Sequence, residues 1–251
     1  MADVQTLYQL LLRNIHQDAS SSNQKTVDSI LRSIAESLKY LRSQSVYFNE
    51  KQTTIQLESG KNKYQLPLDF LGIRGEVMYC QSATDTLLQP LINTPIDHLQ
   101  ITRPTQDDLG FESNEVFDFF ISSDTNHSYY SIDTEGRYFY VGKQEGYVKL
   151  RYLADLGTID YKHDGSNWVF RIPKTDTAIT QTSTYTNKWF TDGFDILKTR
   201  CEYYLWSREF GNTEAASARA QIALGQSMDA LSQAQNEGRA RASSTQIRRW
   251  M

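Results

Sequence analysis

Residues 64–71 read Tyr-Gln-Leu-Pro-Leu-Asp-Phe-Leu. Tyr64 and Leu66 stand two apart and so point to one face of a strand. Pro67 has no N–H to give to a ladder and ends that strand. Phe70 and Leu71 are then expected to drop back into a core, with Asp69 at the bend. Just upstream, Ile55 and Leu57 alternate with polar neighbours as on a half-buried strand. Ile73 and Val77 continue the apolar pattern downstream. The stretch therefore belongs to a β-rich region.

Working outward toward the N-terminus, the period changes. Leu7, Leu11 and Ile15 recur every fourth residue, and after a polar break at 18–23 Val27, Ile30, Leu31, Ile34, Leu38 and Leu41 recur at spacings of three and four. This is the stripe of amphipathic helices with one buried face, and Ser22 or Asn23 is a suitable N-cap for the second. The period is lost near residues 47–50.

Toward the C-terminus, short strands are expected at 77–80, 87–91, 117–121, 129–132, 138–141 and 148–152, with a single helical turn at 97–100. The run Asp133-Thr134-Glu135-Gly136-Arg137 has turn composition and predicts a hairpin. A second hairpin is expected between Tyr140 and Val148 through Gly142 and Gly146, and a third across Asp164-Gly165-Ser166-Asn167. The Thr-rich run 174–188 has no apolar face and reads as an extended, exposed arm. Helical spacing then returns. Phe194, Leu197, Cys201 and Leu205 follow Asp192, a good N-cap, and Gly211 stops that helix. Ala220, Leu224, Met228 and Leu231 follow in a second, alanine-rich helix. The expected fold is α+β, a helical bundle of two N-terminal and two C-terminal helices with a large β-rich insertion and an extended C-terminal tail. The expected segments are 1–50 (helices), 51–187 (β insertion with its arm), 188–236 (helices) and 237–251 (tail). In that tail Arg239, Arg241, Arg248 and Arg249 outnumber Glu237, and Ile247 and Trp250 supply the apolar groups. Composition allows two readings of it, a docking segment or a solvated end.

Bulk properties narrow the function. With Lys+Arg 26 against Asp+Glu 30, the net charge of −4 gives no overall drive toward nucleic acid. Fifteen tyrosines suit subunit interfaces and strand faces alike. Cys80 and Cys201 have no metal-ligand spacing, and no disulfide framework is implied. The N-terminus lacks the pattern of a signal peptide, and no stretch is apolar for long enough to span a membrane.

Catalytic signatures are missing. His16, His98, His127 and His163 lie in four separate segments, with no His or Cys three or four residues on, so zinc ligation is unsupported. There is no nucleophile elbow and no phosphate loop. Asp133 and Glu135 offer too few oxygens for a calcium loop. The acids Asp107, Asp108, Glu112, Glu115 and Asp118 read as solvated loop residues. No catalytic residue, metal site or cofactor is expected.

The stretch 64–71 resembles the Y-x-L-P-x-D-F-L element of the head-to-tail adaptor proteins of short-tailed bacteriophages, where it follows two N-terminal helices as it does here. Tyr64, Leu66, Pro67, Asp69 and Phe70 carry the match. The paired strands through Ser131–Tyr140 and 148–152 are similar in order to the family's, as is a Tyr-rich helix bearing Tyr203 and Tyr204 after the step Thr186-Asn187. The resemblance implies a structural virion protein at the head–tail junction, made in the host cytoplasm. It implies a homo-oligomeric ring, twelvefold in that family, between the portal protein and a downstream nozzle or tail protein. DNA would pass through without specific binding, no membrane would be involved, and residues 239–250 would dock into the portal. The free protein is then expected to be a monomer with a disordered tail. Rival readings are another tail component such as a nozzle or stopper, a carbohydrate-binding or cell-wall-degrading tail module, and a DNA-binding packaging accessory.

Overall fold

Helix α1 (Val4–Asn14) begins where Asp3 accepts a hydrogen bond from the Thr6 backbone N–H at 2.8 Å. Two further N–H groups of its first turn, on Val4 and Gln5, donate to the carbonyls of Tyr185 and Ser183 at 3.0 and 3.1 Å. The open end of the helix is thereby satisfied from a distant part of the chain. Helix α2 (Gln24–Leu41) buries Val27, Ile30, Leu31, Ile34, Leu38 and Leu41, the stripe its period predicts. The computed structural model describes residues 2–15, 24–59, 61, 63–94, 129–142, 145–209 and 213–247, with side chains in the last stretch described to Glu237.

The protein is α+β and divides into two units, Glu50–Ala154 and the union of Met1–Asn49 with Asp155–Met251. In the second of these, α3 (Lys188–Thr191) is capped by Asn187, whose side chain accepts from the Trp189 N–H at 2.8 Å. Trp189 and Phe190 fill the core behind it. Helix α4 (Phe194–Tyr204) packs against α2 and α5 and buries Ile196, Leu197 and Cys201. Its N-cap is Gly193, without a side-chain bond, so Asp192 does not cap it as expected. A π-helical turn, Leu205–Glu209, follows.

Helix α5 (Glu214–Ile247) buries Ala216, Ala220, Ala223, Ser227 and Leu231. The expected stripe through Leu224 and Met228 is displaced, and Met228 is 57% exposed. Small side chains allow α5 to approach α4 closely, and the longer ones are left outside. The helix also runs past Asn236 to Ile247, where an extended tail was expected.

The boundary expected at 187 falls at 154. Strands β10 (Asp160–His163), β11 (Trp168–Ile172) and β12 (Thr177–Ile179) form a small antiparallel sheet. Its Phe170 and Ile179, with Ile159, join the core built by the helices. The turn between β10 and β11 is the one expected, with Asp164 accepting from the Ser166 and Asn167 N–H groups at 3.1 and 2.8 Å. The Thr-rich run supplies an edge strand and the carbonyls that complete α1, so it is not a free arm.

The unit Glu50–Ala154 holds β1 (Glu50–Leu57), β2 (Lys63–Gln65), β3 (Phe70–Ile73), β4 (Met78–Cys80), β5 (Gln89–Pro90), β6 (Ile92–Asn93), β7 (Tyr129–Asp133), β8 (Tyr138–Val141) and β9 (Gly146–Ala154). One sheet runs β1-β9-β4-β5, with β3 also on β9, and the other β2-β8-β7-β6. Leu57, Tyr64, Leu66, Val77, Phe139, Val141, Val148 and Leu150 form its core. The β7–β8 hairpin is as expected, held by the Gly136 N–H donating to Asp133 at 2.8 Å. The hairpin expected between β8 and β9 does not form, because the two strands belong to different sheets. Near β5, Leu87 is 81% exposed and only Gln89 and Pro90 are in strand. The turn expected at 97–100, the strand at 117–121, the five acids at 107–118, and His16, His98 and His127 lie outside the described residues. Among the described residues, no helix is long and apolar enough to cross a membrane.

The Asn187 cap yields the first prediction. Asn187→Ala should destabilise the protein by about 1 kcal/mol, the usual worth of such a cap. Urea unfolding followed by tryptophan fluorescence measures this, because Trp168, Trp189, Trp206 and Trp250 all belong to the unit that contains the helices.

Candidate docking site

The residues 64–71 form a corner in which the chain passes from β2 to β3. Tyr64 is 6% exposed and Leu66 2%, so both face inward as their spacing requires. The Tyr64 hydroxyl accepts from the Glu58 N–H and donates to the Lys61 carbonyl, both at 2.8 Å, closing the connection from β1. The Phe70 N–H donates to the Pro67 carbonyl at 3.0 Å and makes the turn. Arg137, at φ +62° in the β7–β8 turn, donates to the Pro67 carbonyl at 3.0 Å and also to that of Leu68. The Leu66 N–H in return donates to the Arg137 carbonyl at 2.9 Å. Phe70 is half-buried, with its ring 5.6 Å from that of Tyr152.

Asp69 ties this corner to the larger sheet. Its carboxylate pairs with Lys51 on β1 and accepts from the Tyr152 hydroxyl on β9 at 3.0 Å. Lys51 and Tyr152 are themselves directly opposed across the β1–β9 ladder. Burial alone would raise the carboxyl pKa, but the hydrogen bonds from Lys51 and Tyr152 outweigh it and hold Asp69 below the usual range. Burial, then the bond and charge of Asp69, push the Tyr152 phenol up to about 12.

Leu68, between the Pro and the Asp, is 74% exposed. The same unit exposes Leu87 and, at 58%, Ile92. On α5, Ile222 is 62% and Met228 57% exposed. The structure thus brings Tyr64, Leu66, Pro67, Asp69 and Phe70 together. Arg239, Arg241 and Ile247 lie on the α5 backbone with their side chains outside the described residues, and Arg248, Arg249 and Trp250 lie wholly outside them. Sequence reading missed Lys51, Arg137 and Tyr152, since only the fold brings them to the motif.

Little in the described residues suits catalysis. No group of three or more His, Cys, Asp or Glu among them could hold a metal ion. Burial pushes the Cys201 thiol up to about 12, which makes it a core residue rather than a nucleophile. Cys80 is buried, its thiol directed to the Tyr147 carbonyl at 3.7 Å. His163 sits edge-on to Trp168, with ring centres 5.0 Å apart.

A family model described as SU10 adaptor protein matches residues 2–249. Among curated proteins, none matches the chain.

The Asp69 cluster gives the second prediction. A carboxyl whose folded pKa lies below its unfolded value adds stability that is present above the unfolded value, near 3.8, and fades as pH falls through the folded one. Tyr152 has the opposite sign: its contribution is full below 10 and fades as pH rises toward 12. Asp69→Asn should cost about 1–2 kcal/mol at neutral pH, reduced by the exposure of Lys51. It should also blunt the loss of stability below pH 3.8 and lower the Tyr152 titration. Urea unfolding by far-UV circular dichroism at neutral and acid pH, with tyrosinate absorbance against pH, tests all three.

Proposed function

The chain belongs to the SU10 adaptor protein family, and from that membership we propose that it is the head-to-tail adaptor of a bacteriophage particle, a homo-oligomeric ring seated between the portal and the tail. The match over nearly the whole chain carries this reading. The ring has twelve copies and surrounds the path of the DNA. A net charge of −4 suits a conduit, because tight phosphate contacts would hinder sliding.

In this reading the helices from both chain ends form a bundle that meets the portal. The C-terminal stretch docks there through Arg239, Arg241, Ile247, Arg248, Arg249 and Trp250. Arg and Trp are the residue types that most often anchor interfaces. The unit Glu50–Ala154 meets the nozzle or tail protein, and its exposed Leu68, Leu87 and Ile92 supply apolar contact. The mechanism is assembly by burial of surface at each interface, without turnover of a substrate.

The test is electron microscopy of the purified chain mixed with its portal ring, beside a version truncated after Asn236. Truncation spares Leu231, the last buried residue described on α5, so the helical core should stay intact. The expected result is a second ring stacked on the portal, weakened or lost on truncation. No association of the full-length chain would overturn the adaptor reading. Equal binding by the truncated chain would remove the docking role of residues 237–251.

A further inference from the structure

Arg200 is the most unusual cation of the described residues. It lies on α4 and is only 8% exposed. Its guanidinium carbon stands 3.7 Å from the centre of the Tyr40 ring, 4.9 Å from that of Tyr203 and 5.2 Å from that of Tyr204. Three phenol faces thus surround one charge. No carboxylate reaches it among the described residues. The nearest acid along its helix, Glu202, accepts from the Asn14 amide at 2.5 Å and faces Lys198 at 3.9 Å. The Arg200 Nε is fully buried without a hydrogen-bond partner. Among the described residues its two terminal nitrogens have no hydrogen-bond acceptor, so the edge they form is where an acceptor from a second chain would bind.

A guanidinium cannot shed its proton to escape burial. Aromatic faces offset part of the lost hydration, but they satisfy none of the N–H groups, which lie in the guanidinium plane. Among the described residues what is missing is a planar acceptor at that edge, the geometry a carboxylate supplies with two parallel bonds. The cage already holds the guanidinium still, so an incoming carboxylate would lose little to ordering it.

The same chain carries candidates for the missing half. Asp229 and Glu237 share one face of α5 with Ser232, Gln233 and Asn236. Both acids are exposed and have no ion pair or hydrogen bond among the described residues. A closed ring joins two different faces of one subunit, so one face must offer what the other lacks. We propose that the Arg200 cage receives a carboxylate of a second copy, Asp229 or Glu237 of its α5, and that this pair fixes the register of neighbours in the ring. The inference rests on the ring reading above.

Two substitutions test it. Arg200→Gln keeps much of the stem and removes the charge. The melting temperature of the free protein should stay level or rise, because an uncompensated buried cation is gone, while ring assembly on the portal falls at least tenfold. A melting temperature lower by several degrees would show that the cage serves the fold of the single chain, and would overturn the proposal. So would assembly at the wild-type level. Arg200→Lys places an amine that carbodiimide can join to a carboxylate, which the arginine cannot do. In rings mixed from light and heavy isotope-labelled copies, a cross-link should join position 200 of one copy to Asp229 or Glu237 of another. A link within one copy, or to other acids, refutes the pairing. If the wild-type chain forms no ring, the adaptor reading fails first; a normal wild-type ring with a normal Arg200→Gln ring sinks this proposal alone.

Discussion

The unit Glu50–Ala154 interrupts a set of helices drawn from both ends of the chain, so its first and last strands must lie side by side. The β1–β9 ladder meets that requirement. Glu50 opposes Leu153, and the pairing runs without a slip to Leu57 opposite Gly146. Loop closure becomes only slowly costlier with length, so a firm stem permits a large insertion with a core of its own. The last ladder position needs glycine: Gly146 has φ +101°, and a Cβ there would meet the Cys80 carbonyl at 2.7 Å. Strand β9 then organises its sheet, since β3 and β4 pair with it as well. Val148, Leu150 and Tyr152 turn inward from it, while Arg151 pairs with Glu50 at 2.7 Å.

The corner at residues 64–71 depends on that ladder. Asp69 bridges to a lysine and a tyrosine that already face each other across it, so the carboxylate adds a third strand connection to an existing pair. Most positions of the motif are thus spent on internal work: Tyr64 closes a turn, Leu66 fills the core, Pro67 offers its carbonyl to Arg137, and Asp69 ties the sheet. Leu68, 74% exposed, and Gln65 are the side chains of the stretch that turn outward.

The parts of this structure legible in sequence are those fixed by local chemistry. Helices α1 and α2 follow from apolar period, and two hairpins follow from Asp133–Arg137 and Asp164–Asn167, where side chains bond their own turn. What required the fold was allegiance. Ile159, Phe170 and Ile179 look like any half-buried strand residues, and nothing local tells which core they cover. Strands β8 and β9 are separated by only four residues, Gly142 among them, yet both sides of β9 are taken by β1, β3 and β4. Asn187 and Asp192 are equally good caps on paper, and only backbone geometry selects the first. The α5 stripe was hidden because it is made of Ala and Ser, which a hydrophobic pattern does not register. Its continuation to Ile247 runs through Glu237, Arg239, Ala240, Arg241, Ala242 and Gln246, good helix formers, although Gly238, Ser243, Ser244 and Thr245 are not. Arg200 could not be read as a caged cation because Tyr40 comes from another helix.

Helix α5 differs in kind from the rest of the protein. Elsewhere, side chains of the size of Leu, Ile, Phe and Trp fill the cores. On α5 the buried positions are mostly Ala and Ser, which remove little apolar area from water per residue. A helix of 34 residues is about 50 Å long, and its last buried side chain among those described is Leu231. Helix propensity therefore adds to the packing of these small side chains, and Ile222 and Met228 stay outside. Under the ring reading the same features agree with one another. Each unit has a core of its own, and under that reading α5, whose described side chains bury little within the chain, holds Ile222, Met228, Asp229 and Glu237 for its neighbours.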